Sequence, residues 1–231
     1  MIRRDELRCD AVVFDLDGTI VDTIGADLEA CRLLYEEHDV ELDAARWAAT
    51  VCGSIGGYDV LFDELLGASR GATSRAQLRA RLQQLWSRTL VDGAVDLLPG
   101  VRELLAHLAA RGIPTAVATA SARSWAVRWL EHFSLGGAFA AIVGSDDVAR
   151  TKPFPDVYLR AAALLCAQPA ACVAIEDSPT GVQAAKAAGM RIIAVPTVHT
   201  RHLGYGEADL VVEDLRSVPA SFFSRPRAAL P

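Results

Sequence analysis

Between residues 98 and 212 the sequence alternates short, nearly all-apolar runs with amphipathic stretches, and this alternation restricts the fold more than any other feature of the chain. The apolar runs cover 113–119, 139–143, 172–176, 191–195 and 210–212; the helical stretches cover 101–111, 124–132, 155–166 and 180–188. Strands that are apolar along their whole length are buried on both faces, and strands separated by helices pair in parallel. A further strand is expected at 11–15, whereas residues 23 to 96 carry no strand pattern. There the apolar positions fall at helical spacing, with Leu28, Cys31, Leu34 and Tyr35 on one face and Leu78, Leu82, Leu85 and Trp86 on another. The predicted architecture is α/β: a Rossmann-like, mostly parallel sheet with helices on both faces, built from 1–22 and 97–231, with an α-helical cap domain inserted at 23–96.

A chain of 231 residues, 52% hydrophobic, can bury such a core without disulfide staples. Its five cysteines form no C-x-x-C pair and are expected to be reduced. A net charge of -6 with no dense Lys/Arg tract argues against nucleic acid as a partner. No apolar run approaches the ~20 residues of a membrane span. The charged opening, Arg3, Arg4, Asp5 and Glu6, is not followed by the apolar segment of a secretory leader, so a cytoplasmic location is expected. The tail beyond Phe223, with Pro226 and Pro231, reads as loosely ordered. Of the 23 basic residues only Lys152 and Lys186 are lysines, and 23–96 contains none.

Ligands of such sheets sit beyond the carboxyl ends of the strands. The first strand ends in Asp15-Leu16-Asp17-Gly18-Thr19, and an Asp-x-Asp-Gly-Thr match arises by chance in roughly one chain of this length in a thousand. The second ends in Thr119-Ala120-Ser121, Lys152 follows the third, and Glu176-Asp177-Ser178 closes the fourth. Each alone has a plain structural role: Asp177 or Ser178 as a helix cap, Thr119 in a turn, Lys152 on the surface, Asp17 closing an Asx turn. Together they converge on one edge of the sheet.

These residues resemble the motifs of the haloacid dehalogenase superfamily of phosphotransferases: Phe14 to Thr19 the first, Thr119 the second, Lys152 the third, and Ile175 to Ser178 the fourth. The stretch 176–185 is similar to the subgroup containing sugar-phosphate phosphatases and β-phosphoglucomutase, and the resemblance spans 11–196. It implies that Asp15 attacks phosphorus to give an aspartyl-phosphate, while Asp17, kept neutral by burial and neighbouring acids, serves as general acid and then base. Thr119, Lys152 and the amides near Ala120 would hold the phosphoryl oxygens, with help from Ser121. The implied cofactor is Mg²⁺, held by Asp15, Asp177 and the backbone carbonyl of Asp17, with Glu176 acting behind them or through water. The implied substrate is a small phosphorylated metabolite, such as a sugar phosphate or phosphoglycolate.

Within the family, Asp17 favours phosphoryl transfer over dehalogenation, and a cap without lysine excludes the Schiff-base chemistry of phosphonoacetaldehyde hydrolase. A β-phosphoglucomutase-like mutase is the alternative. That enzyme carries a histidine, an arginine and a lysine in its cap, where this chain has Asp27, an arginine-free loop at 52–58 and no lysine, although Arg46, Arg75 and Arg79 could substitute. A non-catalytic, phosphate-responsive module ranks lower, because receiver domains lack both Asp-x-Asp-Gly-Thr and a cap. The glycine-rich 53–57 segment is expected to form a mobile loop over the site with Tyr58 as a contact, His199 and His202 to be solvated, and Trp125 and Trp129 to pack in the core. The oligomeric state is not legible in the sequence.

Overall fold

The computed structural model describes residues 9–52, 56–69 and 71–223. The expectations for the opening residues, for 53–55 of the glycine-rich loop and for the tail beyond Phe223 lie outside the described residues. Among the described residues six strands, β1 (Ala11–Phe14), β2 (Thr115–Ala118), β3 (Ala141–Val143), β4 (Cys172–Glu176), β5 (Arg191–Ala194) and β6 (Leu210–Val211), form one sheet in the order β3-β2-β1-β4-β5-β6, parallel at every pairing. Every residue of β1, β2 and β4 is buried, as their largely apolar sequence requires, with Thr115 and Glu176 the polar exceptions at strand ends.

Four helices, α1 (Ile24–Glu36), α2 (Ala44–Val51), α3 (Gly57–Ala68) and α4 (Arg75–Thr89), lie between β1 and β2. Four more, α5 (Val101–Ala110), α6 (Arg123–His132), α7 (Asp156–Leu164) and α8 (Pro179–Ala187), alternate with the later strands. Side chains of β1 point alternately to the two sides of the sheet. Val12 and Phe14 pack with Leu108 of α5 and Trp129 of α6, while Val13 packs with Val157 and Tyr158 of α7 and Val182 of α8. Helices α1 to α4 bury a separate cluster around Tyr35, Trp47, Phe62 and Leu65. The two chain segments joining these helices to the sheet run side by side, with Asp22 N donating to Asp96 O (2.9 Å) and Leu98 N to Ile20 O (3.0 Å).

The elements follow the sequence pattern with trimmed ends. The strand expected from residue 113 begins at Thr115, because Gly112 takes φ +62° and Ile113 N donates back to Leu108 O to close α5. From the central β1, the chain reaches neighbours on opposite sides, β2 and β4. A crevice therefore opens at the carboxyl end of β1, where the acidic motif stands.

Candidate active site

Asp15 leaves β1 with its amide still bonded to Ile175 O (2.9 Å), so the sheet itself fixes its position. The chain then turns at Gly18, where φ is +84° and a Cβ would lie 2.3 Å from Asp177 Oδ2. Only glycine lets the second acid approach this closely. Lys152, on the loop after β3, is 2% exposed. Its ammonium donates to Asp15 Oδ1 and to Glu176 Oε1, the latter at 2.6 Å. Burial alone would lower the Lys152 pKa, but Asp15 and Glu176 outweigh it and hold the amine charged.

Glu176 is fully buried at the end of β4. Oε1 also accepts from Tyr158 Oη (2.6 Å), and Oε2 accepts from the amides of Asp177 (3.1 Å) and Ser178 (3.2 Å) and from Ser178 Oγ (3.1 Å). Five donors fill the acceptor capacity of one carboxylate. Glu176 thus anchors Lys152 and the start of α8, and Ser178 caps that helix by accepting from Gly181 N (3.1 Å).

Asp177 differs. Its Oδ2 is buried without a hydrogen-bond partner, while its carbonyl accepts from Thr200 Oγ1 (3.0 Å) and from Tyr205 Oη, which fixes the residue. Carboxylate oxygens of Asp15, Glu176 and Asp177 lie within 4.8 Å of one another. Burial, with the mutual repulsion of these acids, pushes the carboxyls of Asp15 and Asp177 well above the usual range. A hard divalent cation relieves that crowding, and the all-oxygen donor set with an orphaned carboxylate atom fits one. The side chain of Asp17 is not part of the cluster, so only its backbone remains for the ligand role read from the sequence.

Asp17 is half-buried and accepts from Thr23 Oγ1 (2.8 Å), Ser121 Oγ (2.8 Å) and Trp125 Nε1 (2.9 Å). The sequence predicted a proton donor here, whereas these contacts make it an acceptor. Either hydroxyl can rotate and accept the single proton that a neutral Asp17 carries, so one of the two bonds reverses. Thr119, beyond β2, accepts from Ser121 N (3.0 Å) and so shapes the turn containing Ala120. Trp125 corrects the sequence reading: Trp129 is core, but Trp125 faces Asp17 and the cavity. His202 is exposed, while His199 is half-buried beside Gly25.

Asp15, Asp17, Thr119, Ala120 and Ser121 line one part of a cavity of about 540 Å³ whose remaining walls include Ile24, Asp27, Tyr58, Phe62, Trp86 and Arg79 from α1, α3 and α4. Thr23, Trp125, Tyr158, Thr200 and Tyr205, which hold the acids in place, carry no motif and could not be picked out in the sequence.

The pattern of the family described as haloacid dehalogenase-like hydrolase matches residues 12–195. The bifunctional riboflavin kinase/FMN phosphatase of Arabidopsis thaliana is 42% identical over 219 residues, covering 90% of this chain and 54% of that protein. Hexitol phosphatase A of Escherichia coli is 34% identical over 216 residues, covering 92% and 94%. Among solved structures, β-phosphoglucomutase from Clostridium difficile shares the fold with a TM-score of 0.73, at 23% identity and covering 93% of this chain and 95% of that one.

Proposed function

The chain belongs to the haloacid dehalogenase-like hydrolase family as a phosphatase, and from that premise we propose that it hydrolyses a small phosphorylated metabolite through an aspartyl-phosphate on Asp15, with Mg²⁺ as cofactor. The observation that carries the reading is the meeting of five residues at one strand edge: Asp15, Asp17 and Thr119 line the cavity, while Lys152, bonded to Asp15, and Asp177, beside it, lie buried directly behind. Asp15 and Asp177, with the carbonyl of Asp17, would hold the ion. When bound, it cancels charge between the phosphate dianion and the nucleophilic carboxylate. Asp15 forms the new bond to phosphorus as the bond to the leaving oxygen breaks, and Asp17 gives its proton to that oxygen; water then attacks phosphorus, giving a proton to Asp17, as the Asp15–phosphorus bond breaks and free phosphate leaves. Lys152 keeps Asp15 oriented and, with Thr119 and the amides near Ala120, faces the phosphoryl oxygens as charge shifts. Residues 23–96 act as the cap that selects the leaving group, a division consistent with their separate cluster of buried side chains.

A mutase must hold a second phosphate in the cap. The arginines that could do so are already paired: Arg46 with Glu64 (2.9 Å), Arg75 with Asp59 (3.1 Å) and Asp63, and Arg79 with Asp59 (3.0 Å). This favours hydrolysis. The deciding experiment is turnover of p-nitrophenyl phosphate with Mg²⁺, expected for the native protein and reduced at least about a thousandfold in Asp15→Asn. Conversion of β-glucose 1-phosphate to glucose 6-phosphate without free phosphate, followed by phosphorus NMR, would reverse the order of the two readings.

A further inference from the structure

The phosphoryl-transfer reading leaves two acids of the described cavity wall without a task, Asp27 and Asp59; Asp59 is paired with Arg75 and Arg79, whereas the donors to Asp27 carry no charge. Asp27 projects from α1 and accepts from Tyr58 Oη on α3 (2.5 Å), Trp86 Nε1 on α4 (2.6 Å) and, weakly, Cys31 Sγ (3.8 Å). All three donors are neutral. A carboxylate offers about four acceptor directions, so one is left for a ligand. Among the described residues lining the cavity Arg79 is the only Lys or Arg, and it is engaged by Asp59, which also lines it. A leaving group bearing its own negative charge would therefore meet the uncompensated Asp27, with no unpaired cation among the described lining residues to offset it. The cavity lining is mostly apolar, and it includes Trp86 and Trp125, whose rings offer surface suited to the C–H face of a carbon chain or ring. A volume of about 540 Å³ is far more than a two-carbon acid occupies.

We propose that Asp27 determines the leaving-group class of this enzyme, accepting a hydrogen bond from a hydroxyl of an uncharged, polyhydroxylated leaving group of about sugar size and excluding leaving groups that carry a carboxylate or a second phosphate. This deepens the phosphatase reading of the same site and rests on it. Asn at position 27 keeps the helix contacts, since its oxygen still accepts from Trp86 and its amide can donate to Tyr58, but it removes the charge.

The test compares sorbitol 6-phosphate with 6-phosphogluconate, which share a six-carbon chain and differ by a hydroxymethyl against a carboxylate, using Mg²⁺-loaded protein and phosphate release as readout. The native protein is expected to favour sorbitol 6-phosphate in kcat/KM by roughly thirtyfold or more, as a like charge facing a desolvated carboxylate requires. Asp27→Asn is expected to narrow that ratio by about tenfold, with kcat/KM rising for 6-phosphogluconate. Tyr58→Phe, which loses a helix contact but keeps the carboxylate, is expected to retain the preference. A ratio near one in the native protein, or equal losses on both substrates in Asp27→Asn and Tyr58→Phe, would make Asp27 a helix staple only and overturn the inference. Turnover of p-nitrophenyl phosphate alongside such a result would leave the phosphatase reading standing, whereas absence of turnover with all three compounds would overturn both.

Discussion

At Asp17 the carboxylate draws one donor from each of three places: Thr23 ahead of α1, Ser121 after β2 and Trp125 on α6. The acid itself is legible in the sequence because its motif is local. Of its partners Ser121 was legible beside a motif, whereas Thr23 and Trp125 were not: nothing local marks a contact such as that of Trp125, which spans 108 residues. Trp125→Phe keeps the ring and removes only the indole donor. Losing a hydrogen bond to a charged group costs about 1.5–3 kcal/mol, so the melting temperature is expected to drop by roughly 3–12 °C and kcat, measured well below it, to fall roughly ten- to hundredfold. An unaltered kcat would remove Trp125 from the positioning of Asp17. Gly181 offers a contrasting test at the buried acid behind the site. A Cβ there would lie 1.8 Å from Glu176 Oε1, so the buried carboxylate would have to leave the donors that hold it. Gly181→Ala is expected to cost about 3 kcal/mol or more in urea unfolding, and to lose turnover as Glu176 releases Lys152.

Helices and strands were legible wherever local pattern and tertiary burial agree. The expected bounds of β4 match the structure because Cys172 to Glu176 is bracketed by turns and buried throughout. Bounds drifted where a backbone bond captured the flanking residue, as Leu108 O does with Ile113 N. The Trp125 and Trp129 pair shows the limit of helical periodicity: spacing puts both on one side of α6, but whether that side meets core or cavity depends on what lies across from it. Ser178 reads from sequence either as a cap or as part of the site, and the structure gives it both duties. Ser178→Ala is therefore expected to destabilise the protein by about 1–2 kcal/mol, the upper end for an N-cap, because Glu176 also loses a donor. Urea unfolding with a loss below a few tenths of a kcal/mol would show that α8 does not depend on this cap.

For the whole molecule, the crowded acids make stability depend on what is bound. Mg²⁺ at about a hundred times its dissociation constant is expected to add about 2.7 kcal/mol by mass action, an increment reversed by EDTA and absent in Asp177→Asn. Asp27 adds a second, cation-independent dependence. Burial pushes its carboxyl from the ordinary 3.8 to about 6, with Asp17 adding to the rise and the bonds from Tyr58, Trp86 and Cys31 opposing it. The folded chain thus holds this proton more tightly than the unfolded chain does. The stability Asp27 confers is full below about pH 4 and is lost as pH rises through about 6; above that the buried charge costs on the order of 2–3 kcal/mol. Asn at this position never ionises. Relative to the native protein, Asp27→Asn is expected to gain stability progressively between pH 4 and pH 7, read from urea unfolding at a series of pH values, and parallel curves for the two proteins would rule out a strained carboxylate. If the gain is found together with lost discrimination between sorbitol 6-phosphate and 6-phosphogluconate, the charge at Asp27 is a cost to the fold retained for selectivity, since a group serving only to hold α1, α3 and α4 together would do so better as the amide.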